Sequence, residues 1–153
     1  MKLLISLILV ILSLFIAFLK STELKKNLND SKILLELSEK IKSNFCSEML
    51  PLYRLSEDFF NKYHEKNLSF SSLDELKRYI GNEFSALPYV SEYVEILSKI
   101  PALSSNELSE YCSRLNIIAE KGYKDSCESY KKNGKNAYIL FPGIISIFIL
   151  ILL

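Results

Sequence analysis

Ser72-Leu73-Asp74-Glu75-Leu76-Lys77-Arg78-Tyr79-Ile80-Gly81-Asn82-Glu83-Phe84 opens with a helix start signal and continues with a single apolar face. Serine at the first of these positions and glutamate three residues later form a capping box, in which each side chain satisfies a backbone N–H that the first helical turn leaves without a partner. Leu73, Leu76, Ile80 and Phe84 then recur at steps of three and four, the spacing that places side chains on one side of a helix. Gly81 weakens the segment by about 1 kcal/mol relative to alanine without breaking the pattern.

The same grammar extends in both directions. Downstream, Pro88 suits the first turn of another helix, whose stripe is Val90, Tyr93, Val94 and Leu97, and Pro101 ends it. Ser104-Ser105-Asn106-Glu107 repeats the capping box ahead of Leu108, Tyr111, Leu115 and Ile118, and Lys121-Gly122 reads as the end of that helix. Upstream, residues 67–71 break the pattern. Before them Pro51 opens a helix carrying Leu52, Leu55, Phe59 and Tyr63, and a further stripe runs through Leu34, Leu37, Ile41 and Phe45. No stretch alternates apolar and polar residues long enough for a strand, and no internal repeat is evident. The predicted fold is all-α: a single small bundle of four to five short helices, with connections short enough to pack neighbours antiparallel or at steep angles.

On either side of this region the chain is apolar. Residues 3–19 follow Lys2 as an apolar run of about 17 residues, the pattern of a secretory signal peptide, though long for one and close to the ~17–25 that span a bilayer. Its best cleavage position is after Ser21. Residues 137–153 form a second run of about the same length, interrupted by Pro142-Gly143. Asp125-Ser126-Cys127 is a set of small residues, and a polar spacer of about nine residues separates it from this tail, within the ~8–12 expected of a glycosylphosphatidylinositol (GPI) attachment signal. The expected organisation is therefore a signal peptide at 1–21, a secreted helical domain at 22–126 and a removed propeptide at 127–153. Ser126 is the expected lipid-attachment residue, with Asp125 and Asn133 as alternatives.

Composition is consistent with that division. The whole chain carries 19 basic and 18 acidic side chains, but residues 22–126 hold 14 against 17, a net charge of −3. A mildly acidic domain does not attract a phosphate backbone, so nucleic acid is not an expected partner. The chain has three cysteines. Removal of the tail takes Cys127 with it and leaves Cys46 and Cys112 to pair, closing a loop of about 65 residues worth about 4 kcal/mol in the chain-entropy model. Asn67-Leu68-Ser69 and Asn29-Asp30-Ser31 are glycosylation tripeptides, the first in a connection and the second inside a helical pattern.

Chemistry has little to work with. His64 is the only histidine, and a single imidazole without converging cysteines or carboxylates builds no zinc site. Glu57-Asp58 are adjacent, so on a helix they point about 100° apart and do not share a substrate. No serine sits in a nucleophile elbow and no glycine-rich loop can cradle phosphate, so neither a catalytic residue, a metal nor a cofactor is expected. Leu87, Tyr89 and Tyr93, around the Pro88 turn, are the residues expected to form a contact patch, because tyrosine combines contact area with a polar tip.

The layout resembles that of GPI-anchored surface proteins as an architectural class, a resemblance resting on the two ends alone. It implies a non-enzymatic protein on the external leaflet of the plasma membrane, held there by its lipid anchor and acting in binding, adhesion or a surface coat through an unknown protein partner. The alternatives are an integral membrane protein that keeps one or both apolar segments and acts as a scaffold, and an extracellular lipid carrier.

Overall fold

The structure is a computed structural model and describes residues 2–45, 51–64, 68–100, 105–134 and 143. It is all-helical over these residues, with five α-helices: α1 (Lys2–Phe45), α2 (Leu52–His64), α3 (Leu73–Glu83), α4 (Val90–Lys99) and α5 (Ser105–Ser129), the last running into a π-helical turn at Tyr130–Gly134. The helices are not uniformly short. α1 has 44 residues and α5 has 25. α1 is long for a reason the sequence states by omission: no proline occurs before Pro51 and no glycine before Gly81, so nothing stops the helix between the apolar run and the first amphipathic stripe.

The chain forms two compact units, Asp30–Lys124 and a second made of Met1–Asn29 with Asp125–Leu153. The first of these holds the described core, from Ile33 on α1 to Ala119 on α5. Leu34, Leu37 and Ile41 are fully buried on α1, Leu52, Leu55 and Phe59 are buried on α2, Leu76 and Ile80 on α3, and Tyr93 and Leu97 on α4. α3 packs against both α2 and α4. Most of the expected stripe residues are buried, while Leu73, Val94, Leu108, Tyr111 and Ile118 pack against the core half-buried. Phe60, absent from the predicted stripe, is fully buried, whereas Tyr63 keeps 43 % of its surface exposed. Phe60 is central because its ring meets Phe59, Phe70, Tyr79 and Phe84 at centroid separations of 5.1–6.4 Å. The pairs with Phe59, Phe70 and Tyr79 are edge-on, and such pairs add about 0.5–1.5 kcal/mol each beyond area burial.

Ser72 caps α3 as its sequence indicates: its hydroxyl accepts the Glu75 N–H at 3.3 Å. The Glu75 carboxylate reaches one residue further back than the standard box and accepts the Ser71 N–H at 2.8 Å. The second capping box lies partly outside the described residues, as do Pro101 and Ser104. Connection 68–71 is held from α2, where the Asn61 side chain accepts the Leu68 N–H and donates to its carbonyl, and Glu57 accepts the Phe70 N–H. Glu57 is therefore engaged with backbone, while Asp58 is exposed.

Lys121-Gly122 is not a helix end. α5 passes through Gly122 and continues to Ser129. Glycine is favoured there by a neighbour, since a Cβ at this position would overlap the Tyr89 ring. The position needs the missing side chain and not the conformational freedom that a helix end uses.

Candidate membrane-attachment region and the Pro88 turn

The two ends of α1 follow opposite rules. In Asp30–Lys124 the helix buries large apolar residues. In the N-terminal unit, side chains are described from Ile8, and the fully buried ones are small: Ser13 and Ala17. The Ser13 hydroxyl donates to the Val10 carbonyl at 2.7 Å, so this polar group is satisfied within its own helix. Ile8, Ile11, Leu12, Leu14, Phe15, Ile16, Phe18 and Leu19 are all 42–58 % exposed. Among the described residues no helix is long and apolar enough to cross a membrane. From Ile8 the apolar run is about 12 residues, or about 18 Å of helix, before Lys20. Lys20 pairs with Glu23 at 3.0 Å on the surface.

At the other end, Asp125, Ser126 and Cys127 lie in the last turns of α5, with Asp125 exposed and the other two half-buried. Asn133 is exposed within the π-helical turn. The boundary of the core-bearing unit falls between Lys124 and Asp125, immediately before these candidates. The apolar tail at 137–153 lies outside the described residues apart from Gly143. Ser21, expected to precede the cleavage point, is half-buried within the unbroken α1.

The Pro88 turn is placed differently from its expectation. Leu87 and Tyr93 are buried, with Tyr93 wholly enclosed and its hydroxyl donating to the Leu34 carbonyl at 3.3 Å. Tyr89 is half-buried, packed on Gly122. These residues thus form internal packing and do not constitute an exposed patch. The physical reason is the turn itself: Leu87 N–H bonds to the Phe84 carbonyl and Val90 N–H to the Leu87 carbonyl, which folds the apolar junction inward onto α1 and α5. Burial raises the Tyr89 hydroxyl above the ordinary tyrosine range, Ser31 beside it acting the other way and Asp30 adding to the rise. Tyr93 is raised further, again by burial first. Tyr79, desolvated among Phe60 and Phe70 and near Glu83, is pushed up to about 12.

A polar link joins α1 to α5 inside the bundle. The buried Ser38 hydroxyl lies 2.8 Å from the Asn116 side-chain oxygen and 2.7 Å from the Leu35 carbonyl. The exposed large apolar residues described in this unit are Tyr63 and Ile117, the latter 62 % exposed.

Cys112 is buried, and its expected partner Cys46 lies outside the described residues. Asn67 also lies outside them, as does the side chain of His64. Asn29 is exposed on α1, but the Ser31 of its tripeptide is fully buried. Among the described residues no group of three or more histidine, cysteine or acidic side chains is placed to hold a metal ion.

Comparison with known proteins adds no relative: no family model, curated protein or solved structure matches the chain.

Proposed function

We propose that this protein is a small helical domain displayed on the cell surface by a GPI anchor, with a role in contact with another protein or cell and not in catalysis. The N-terminal apolar segment is its secretory address, and Ser126, or its neighbours Asp125 and Asn133, carries the lipid. One observation supports this reading above others. Among the described residues the main hydrophobic cluster lies within Asp30–Lys124, so it draws none of its described side chains from beyond Ser126, where a lipid would replace the chain. A disulfide between Cys46 and Cys112 would tie the end of α1 to α5 in the oxidising compartment that such a route implies. Ile117 and Tyr63, exposed on this unit, are the side chains through which we infer contact.

The test is chemical. Cells expressing the full chain are labelled with ethanolamine, and the C-terminal peptide of the purified protein is read by mass spectrometry. A peptide ending at Asp125, Ser126 or Asn133 and carrying an ethanolamine-phosphate glycan is the expected result. An unlabelled protein with its tail peptide intact would replace this reading with a second one, an integral membrane protein that retains its apolar segments. That second reading draws support from the uninterrupted course of α1 from Lys2 to Phe45.

A further inference from the structure

We propose that residues 8–19 of α1 stay with the chain after secretion and lie among lipid acyl chains, which cover a broad arc of the helix. This inference rests on the membrane-held reading above but not on the lipid anchor, and it departs from the cleavage expected after Ser21.

The arrangement of exposed and buried positions carries it. At 100° per residue, the exposed positions Leu14, Phe18, Ile11, Phe15, Ile8, Leu19, Leu12 and Ile16 follow one another around the helix over an arc of about 200°. Ser13, Ala17 and Leu24, all buried, fall together on the opposite side. A helix made for water and a protein core does the reverse, burying its large apolar residues and exposing polar ones. Here no polar side chain faces outward between Ile8 and Leu19, because Ser13 is buried and bonded to Val10.

The width of the arc selects the occupant. A groove in a partner protein takes the apolar stripe of one helix face, whereas an apolar surface this wide needs a medium that surrounds the helix. Lipid does so, and helices in lipid pack through small residues while presenting large ones to the acyl chains. The arc ends at Lys20, with Lys25 and Lys26 exposed beyond it, where long basic side chains can reach a headgroup layer. The described arc is about 18 Å long against a hydrocarbon core of about 30 Å, so the proposal concerns burial among acyl chains over that length.

The chain contains no tryptophan, so a single introduced indole reports one place. Full chains bearing Phe15→Trp on the arc, or Tyr63→Trp on α2, are reconstituted into phosphatidylcholine vesicles with or without brominated acyl chains. The protein recovered from cell membranes is also sequenced at its N-terminus. Expected are a peptide spanning residues 3–19 in the cell-derived protein and at least threefold quenching by brominated lipid at position 15, with little at position 63. A mature N-terminus at Thr22 would overturn the proposal, as would an unquenched indole at position 15 in vesicle-bound protein. Neither result depends on ethanolamine labelling, so loss of the lipid-anchor reading and loss of this one are separately visible.

Discussion

Within the single helix α1, residues 8–19 and residues 30–45 are both rich in leucine and isoleucine, yet they bury opposite kinds of side chain. The later stretch buries Ile33, Leu34, Leu37 and Ile41 and turns Lys32, Glu39 and Lys42 outward. The earlier one buries Ser13 and Ala17 and leaves its large side chains exposed. They differ in apolar content, 11 of 12 residues against 6 of 16, and also in where the small residues fall, and the lesson is that a helix must be read for what its buried face is made of as well as for how apolar it is.

The comparison breaks most visibly at matched substitutions. Leu37→Ala removes a fully buried side chain and is expected to destabilise the Asp30–Lys124 unit by about 2–5 kcal/mol in urea denaturation. Leu12→Ala, at the corresponding apolar but exposed place, should change that unfolding transition by less than about 0.5 kcal/mol. Equal losses at the two sites would mean that residues 8–19 belong to the same packed core.

Gly122→Ala sharpens the same point from the α5 side. Its Cβ would overlap the Tyr89 ring, and the displacement of that ring should cost about 1–3 kcal/mol. If Gly122 merely ended a helix in a left-handed conformation, the double variant Gly122→Ala with Tyr89→Ala would recover nothing. Here that second change relieves the clash, so the pair should be less destabilised than the two single changes added together.

Ser72→Ala, which removes the hydroxyl that accepts the Glu75 N–H, should cost about 1 kcal/mol and leave vesicle binding untouched. The smallest effect is on pH dependence. Tyr79 is raised from 10.0 to about 12, so the folded domain holds this proton where the unfolded chain has lost it. The associated stability is complete below pH 10 and is lost as pH rises to 12. Stability measured over that window should fall, and Tyr79→Phe should make the fall shallower; an unchanged slope would show that Tyr79 titrates as an ordinary surface tyrosine.

Much of this was legible without coordinates. The capping box at Ser72, the prolines at 51 and 88 and the leucine stripes are local signals, and local signals suffice for helices because every backbone hydrogen bond in one is made within a few residues. The same signals located most of the core: Leu34, Leu37, Leu55, Leu76, Ile80, Leu97 and Leu115 are all buried. The length of α1 had a readable signal too, the lack of any glycine or proline in the first fifty residues. The shift in composition at Lys20 masks that signal, because hydropathy changes there while the backbone has no reason to leave the helix.

What the sequence alone determined is that the region between the two apolar ends is built from helices, where most of their apolar faces lie, and that the chain is apolar on both sides of it, because periodicity and capping act within one turn. Tertiary structure decided the rest. It turned Leu87 and Tyr93 inward, made Phe60 the centre of the aromatic cluster and carried α5 past Gly122. It also placed Ser13 and Ala17 on the buried side of a helix whose large residues remain exposed. Each of these depends on which neighbour lies across the gap. That neighbour is distant in sequence, as Tyr89 is from Gly122, so no pattern within a single helix encodes it.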